Sequence, residues 1–309
     1  MQQKLTTITH GYYQPYFYWM FPIVVAREEG LFEKEGVTLE VHDIVPGGQP
    51  ENKAEWYKEA LEDRSRDFYF CCAWQGVYST CETGKGKIGA AIKSTLIKTF
   101  GIYVKPDSPV RSILDLTENG TQIAVNKNAD AHYVTLQNLS EFVPASQIKL
   151  MHLGGIDGCF KALAAGDVQA ATLAGPYAEA AEAIGYRRVM PLSRTEPTLV
   201  VFNDAVDTSS ANAFLAAVNK AIDKVNTDRR KYHARYVKEF EDVVKKYIPE
   251  LRADLSEVKA RITLPVWAES KILDEAGFNG IHEFLLEHGL SAKGNGYEAT
   301  VKTNLAIVH

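Results

Sequence analysis

From Leu5 to Asn203 the chain alternates short β-type runs with helix-patterned stretches, and this alternation constrains the fold more than any other feature. Strands alternating with helices favour mostly parallel sheets covered on both faces, the α/β class. The predicted strands are Leu5–Thr9, Val37–Ile44, Phe68–Ala73, Ile88–Lys93, Phe100–Val104, Gln122–Asn126, Lys149–Leu153, Val168–Ala174, Arg187–Pro191 and Thr198–Asn203. Between them, helices are predicted near Pro22–Glu29 and at Glu55–Glu62, Tyr78–Thr83, Ala129–Phe142, Gly158–Ala165 and Tyr177–Ile184. Pro22 suits a first helical turn, and Gly30 supplies a left-handed stop. Beyond Asp204 helical periodicity dominates, over Ser209–Tyr247, Leu255–Ile262, Pro265–Ala276 and Gly280–His288.

At 309 residues the chain exceeds what one compact core usually organises, which predicts two lobes. A hydrophobic fraction of 46% is ample for a sizeable core, and a net charge of −5 argues against nucleic acid as a partner. The basic run Arg229, Arg230, Lys231, His233 and Arg235 sits among acidic residues and reads as a solvated helix face. The opening MQQKLTTITH lacks the apolar core of a secretion signal, and no run reaches the roughly 18 apolar residues of a membrane span. No membrane insertion and a cytoplasmic location are therefore expected; a periplasmic or secreted protein whose leader has been removed is the alternative. Adjacent Cys71 and Cys72 point to opposite faces of a strand, so reduced thiols are expected rather than a disulfide framework.

Three stretches together resemble a known family. They are FPIVVAREEGLFEKEGVTLEV at 21–41, SILDLTENGTQIAVN at 112–126 and GIDGCFKALAAGDVQAATLAGPYAEAA at 155–181. In this order and spacing they resemble the solute-binding proteins for alkanesulfonates, taurine and thiamine precursors, a family that includes the fungal hydroxymethylpyrimidine phosphate synthases. The resemblance implies a type-II periplasmic-binding-protein fold. It implies a discontinuous first lobe of residues 1–98 and 204–309, with a helical C-terminal tail, and a second lobe of residues 99–203. Crossings are placed near Lys93–Tyr103 and Arg194–Phe202. A small-molecule ligand is implied between the lobes, thiamine-precursor-like or sulfonate-like, and a transporter partner only if the protein is exported.

Open sheets place ligands beyond the carboxyl ends of their strands, where helix N-termini point inward. Here those ends are the Tyr12–Trp19 loop, the Cys71–Gln75 turn, Ser94–Thr95, Asn126–His132, Gly154–Asp157 and Gly175–Tyr177. Seven of the ten residues from Tyr12 to Phe21 are aromatic, which suits a planar or partly apolar ligand, with Tyr16 and Trp19 the favoured pair and Tyr12 a further candidate. Packing of the first helix onto its sheet is the competing reading. Cys72, Trp74 and Gln75, then Ser94 and Thr95, complete the first lobe's candidates. In the second lobe, Asn126, Asn128 and His132 open a helix whose free N–H groups form an anion site. In the resembling family this position often holds the ligand's acidic group. Asp130 opposes an anion there, and simple N-capping by Asn128 or Asp130 is the alternative. Gly154 and Gly155 allow close backbone approach, and Gly175 with Tyr177 starts the next helix.

His10, His42, His132 and His152 lack metal-ligand spacing, and no CxxC occurs, so no metal is expected. Trp267 reads as core, and Cys71, Cys72 and Cys159 as buried small hydrophobes. Two functions compete: reversible binding by a solute-binding, sensor or carrier protein without cofactor, and a synthase or decarboxylase on the same fold acting on a heterocyclic or acidic substrate. Alignment on Asp67 favours the first. It puts Cys71 where the resembling synthases carry a pyridoxal-phosphate lysine, and Gln75 where they carry a consumed histidine. Thr198–Asn203 also lacks the synthases' iron-binding cysteines.

Overall fold

The computed structural model describes residues 5–43, 53–118, 120–249, 251, 255–291 and 294–307. In chain order the first half holds β1 (Thr6–Tyr12), α1 (Phe17–Glu28), α2 (Leu31–Lys34), β2 (Val37–Asp43), α3 (Lys53–Asp63), β3 (Phe68–Cys72), α4 (Ala73–Thr83) and β4 (Lys87–Ile92). Then come β5 (Gly101–Val104), α5 (Ile113–Glu118), β6 (Ile123–Asn126), α6 (Asp130–Leu139), β7 (Leu150–Leu153), α7 (Ile156–Ala165), β8 (Ala170–Leu173), α8 (Pro176–Ala183) and β9 (Arg187–Pro191). The chain returns through β10 (Thr198–Phe202) to α9 (Thr208–Thr227), α10 (Arg229–Tyr247), α11 (Leu255–Arg261), α12 (Glu275–Glu287) and α13 (Tyr297–Thr300). The end of the predicted strand Val37–Ile44 lies outside the described residues. Among those residues no helix is long and apolar enough to cross a membrane.

The strands form a two-stranded sheet β1-β2, a three-stranded sheet β3-β10-β4 and a five-stranded sheet β7-β6-β8-β5-β9. β1 and β2 are parallel, as are β6 with β7 and with β8. The strands that follow the crossings depart from the mostly parallel expectation. β10 is antiparallel to both β3 and β4, with Thr198 opposite Cys72 and Ile92, and β5 is antiparallel to β8 and β9. A strand arriving from the other sheet enters from the opposite end, so its direction reverses. Residues 93–100 and 192–197 carry the chain between these two sheets. β3, β6, β8 and β10 are buried throughout, which matches their unbroken apolar character.

Two predictions are corrected. Helix α1 starts at Phe17, so Phe17, Tyr18 and Trp19 lie on a helix rather than a loop, and Pro22 sits inside it. The proline forfeits a bond to the Tyr18 carbonyl, but every residue from Phe17 to Ala26 is buried, and that burial outweighs the lost bond. The predicted helix Pro265–Ala276 is largely extended. Its backbone runs antiparallel to the chain leaving β4, with Ala91 N–H donating to the Lys271 carbonyl at 2.7 Å and Ala268 N–H to Lys93 at 2.8 Å. Helix begins only at Glu275, where Asp274 caps the Gly277 N–H.

This C-terminal strap also meets α8, where Thr263 N–H donates to Glu179 Oε1 at 2.9 Å. Burial pushes the Glu179 carboxyl up to about 7, against the lowering hydrogen bond from Thr263. Its stabilising contribution is therefore complete below the unfolded value near 4.5 and is lost as pH rises through 7. Thermal melts should show roughly 2 kcal/mol less stability at pH 8 than at pH 5 from this group. Glu179→Gln should remove that difference; an unchanged pH profile in the variant would assign the dependence elsewhere.

Candidate ligand site between the sheets

A cavity of about 70 Å³ lies where β1, α1, α3 and β3 face the start of α6. The segment from β1 into α1 supplies His10, Tyr13, Tyr16, Trp19 and Met20. Helix α3 adds Trp56 and Tyr57, and β3 with α4 adds Phe68, Phe70, Cys71, Cys72 and Gln75. Asn126, Ala129 and Asp130 close it from the other sheet, with Arg66 on the lining beside β3. An engineered cavity that binds benzene measures about 150 Å³. The present cavity is about half that.

His10 Nε2 and the Gln75 amide nitrogen, both on residues 3% exposed, are buried in this aromatic box without a hydrogen-bond partner, as is Arg66 Nε. The His10 ring stacks on Phe68 at 4.4 Å, and its Nδ1 lies 3.4 Å from the Phe68 carbonyl oxygen. A carbonyl only accepts, so Nδ1 carries the proton and Nε2 presents a lone pair. Burial lowers His10 to about 3, so the ring is neutral. Burial also pushes the Cys71 and Cys72 thiols well above their usual range, which leaves them poor nucleophiles.

Asp130, the first residue of α6, is neutralised from behind. Its Oδ1 is 2.8 Å from Arg194 Nη1, and the Arg194 side chain is fully buried. The guanidinium stands over Trp19 at 5.0 Å and Trp74 at 5.6 Å, and its Nη2 donates to the Pro197 carbonyl. Neither Asn128 nor Asp130 acts as the predicted cap. Asn126 Oδ1 instead accepts from Ala131 N–H at 3.1 Å. At α7, Tyr16 Oη accepts the Ile156 N–H at 3.2 Å, and Tyr13 Oη donates to Asp157 at 3.0 Å.

Of the predicted residues, Tyr16, Trp19, Cys72, Gln75 and Asn126 come together on the cavity wall. The others lie outside it. Tyr12 points to Glu239 of α10, and Trp74 stacks on Tyr133 beneath Arg194. Ser94 and Thr95 pair with the strap at Trp267 and Val266. Asn128 takes a left-handed turn (φ 50°), and its N–H donates to His132 Nδ1; neither residue lines the cavity. Gly155 admits Tyr16, whose Oη would lie 2.9 Å from an added Cβ; Gly175 similarly admits the Tyr18 ring. Gly154 has open space around it, and Tyr177 is core, its hydroxyl donating to the Pro15 carbonyl. Trp267 is core as expected, stacked on Phe21. Sequence reasoning missed His10, Trp56, Tyr57, Arg66 and Arg194, and left Tyr13 within the aromatic stretch without singling it out. The charge of Arg66 just before a strand was the one available signal. Among the described residues no group of three His, Cys, Asp or Glu side chains is placed to hold a metal.

No protein-family model matches the chain, and no curated protein matches it in sequence. Solved structures do. The alkanesulfonate-binding protein SsuA of Xanthomonas axonopodis pv. citri, bound to MOPS, superposes with a TM-score of 0.72 at 17% identity, over 94% of this chain and 96% of that one. The periplasmic aliphatic sulphonate-binding protein SsuA of Escherichia coli gives 0.69 at 16% identity, covering 96% and 92%. A Candida albicans protein described as defining a new family with the generic periplasmic-binding-protein fold gives 0.69 at 14% identity, covering 99% of both chains. The fold that the resemblance implied is thus the fold observed.

Proposed function

We propose that this protein binds a small, largely apolar metabolite between its two main sheets and carries out no chemistry on it. The observation that carries the reading is the aromatic cavity lined by buried, unpartnered polar groups, among them His10 Nε2 and the Gln75 amide. Buried polar groups normally find partners, and a ligand supplies them here. The raised Cys71 and Cys72 thiols argue against a nucleophilic step. Binding proteins with this fold, named for sulfonate ligands, support a binding role without fixing the ligand.

In this reading residues 1–98 with 204–309 form one lobe and residues 99–203 the other. The protein acts as a cytoplasmic sensor or carrier; a transport receptor is the alternative if it is exported. The lobes rotate about 93–100 and 192–197, breaking the Tyr13–Asp157 and Tyr16–Ile156 contacts on opening. Mass spectrometry of protein purified under native conditions should identify a co-purifying metabolite. X-ray scattering after its removal and re-addition should show contraction on binding. Identical curves with saturating, verified ligand would reject the hinge, and a ligand that leaves Trp19 and Trp56 fluorescence unchanged would reject the cleft.

A further inference from the structure

We propose that the cavity takes a flat aromatic monoanion, an aryl carboxylate bearing a second polar substituent, and that Arg66 holds its acid group. This inference rests on the cleft-binding reading above and names the ligand class for that site. The helix N-termini across the cleft each have a first-turn donor already engaged and a carboxylate beside it. At α6 the Ala131 N–H is taken by Asn126 Oδ1, and at α7 the Ile156 N–H by Tyr16 Oη. Carboxylates stand in both first turns, Asp130 and Asp157, and a ligand anion at α7 meets the Asp157 charge, while Arg194, the cation at α6, is engaged by Asp130. Asp130 is already balanced by Arg194, which is not part of the lining.

Arg66 is the one Lys or Arg on the described cavity wall. Its Nε is buried without a partner, while Nη1 donates to the Ser65 carbonyl, so the guanidinium keeps donors for a carboxylate. The walls are mostly rings, including Tyr13, Tyr16, Trp19 and Trp56, and face-to-edge packing favours a flat ring over an alkyl body. Inside, the Gln75 amide donates and His10 Nε2 accepts, which a hydroxyl on the ring satisfies in both senses.

Titration calorimetry and Trp fluorescence with three probes test this: 4-hydroxybenzoate, 4-hydroxybenzamide and cyclohexanecarboxylate. The benzoate should bind roughly 10- to 100-fold tighter than the amide, the effect of one charge-assisted contact. It should also bind more tightly than the cyclohexane acid. Arg66→Gln, with its fold checked by circular dichroism, should erase the first preference and keep the second. Arg66→Lys should restore part of it. Equal binding of benzoate and amide, with Trp fluorescence still responding, would overturn the Arg66 assignment and leave the cleft reading standing. Failure of all three probes, while a co-purified ligand of another class quenches the cleft tryptophans, would overturn the ligand class alone. A co-purified ligand that leaves those tryptophans unperturbed would remove both.

Discussion

Arg194→Met should lower the stability of the protein by about 3–5 kcal/mol, read as a fall in the urea midpoint. The substitution keeps volume between Trp19 and Trp74 but leaves Asp130, 14% exposed, without the cation 2.8 Å away. A buried carboxylate without its cation is the costly product, whereas removing both charges is nearly neutral. Arg194→Met combined with Asp130→Asn should therefore recover most of the loss. A single variant within about 1 kcal/mol of the parent would show that solvent, not Arg194, balances Asp130.

Trp19→Ala should destabilise the fold by roughly 3–5 kcal/mol and abolish measurable ligand binding. From sequence, Trp19 reads as a loop residue facing a ligand. On α1 it is instead 7% exposed, its ring packs 6.0 Å from Phe100, and it supports the Arg194 guanidinium. One side chain thus serves core and cavity together, and truncation damages both. Trp19→Phe separates the roles: it keeps a ring in the core and should weaken ligand binding by about 1–3 kcal/mol with a smaller loss of stability. A Trp19→Phe protein that binds the co-purified ligand as tightly as the parent would remove Trp19 from the site.

The sequence made the strand ends legible as the walls of the cavity. That rule picked out Tyr16, Trp19, Cys72, Gln75 and Asn126, which the fold brings together on one cavity wall, because each follows or ends a strand whose direction the alternating pattern reveals. Trp56 and Tyr57 were missed because they reach the cavity only through the packing of α3 against β3 and α4, which no local period encodes. The Asp130–Arg194 pair was missed for a related reason. Asp130 alone reads as hostile to an anion, and only the return of the chain through 192–197 brings the compensating charge.

By itself the sequence determined the α/β class, the order of the ten strands and the mainly helical C-terminal third, since these follow from periodicity and from Gly30-type stops acting over a few residues. Tertiary structure decided what competes across distance. Residues 265–271 read as helix in isolation, yet Ala91, Lys93 and Thr95 present backbone groups along the chain leaving β4 that need partners. Extended pairing satisfies both segments at once, Asn226 and Arg229 hold the strap's carbonyls, and Pro265 has no N–H to give a helix. The same logic placed Tyr13 and Tyr16 on the first turn of α7. Their hydroxyls meet Asp157 and the Ile156 N–H across the space between two sheets, so these contacts belong to the tertiary structure rather than to either segment.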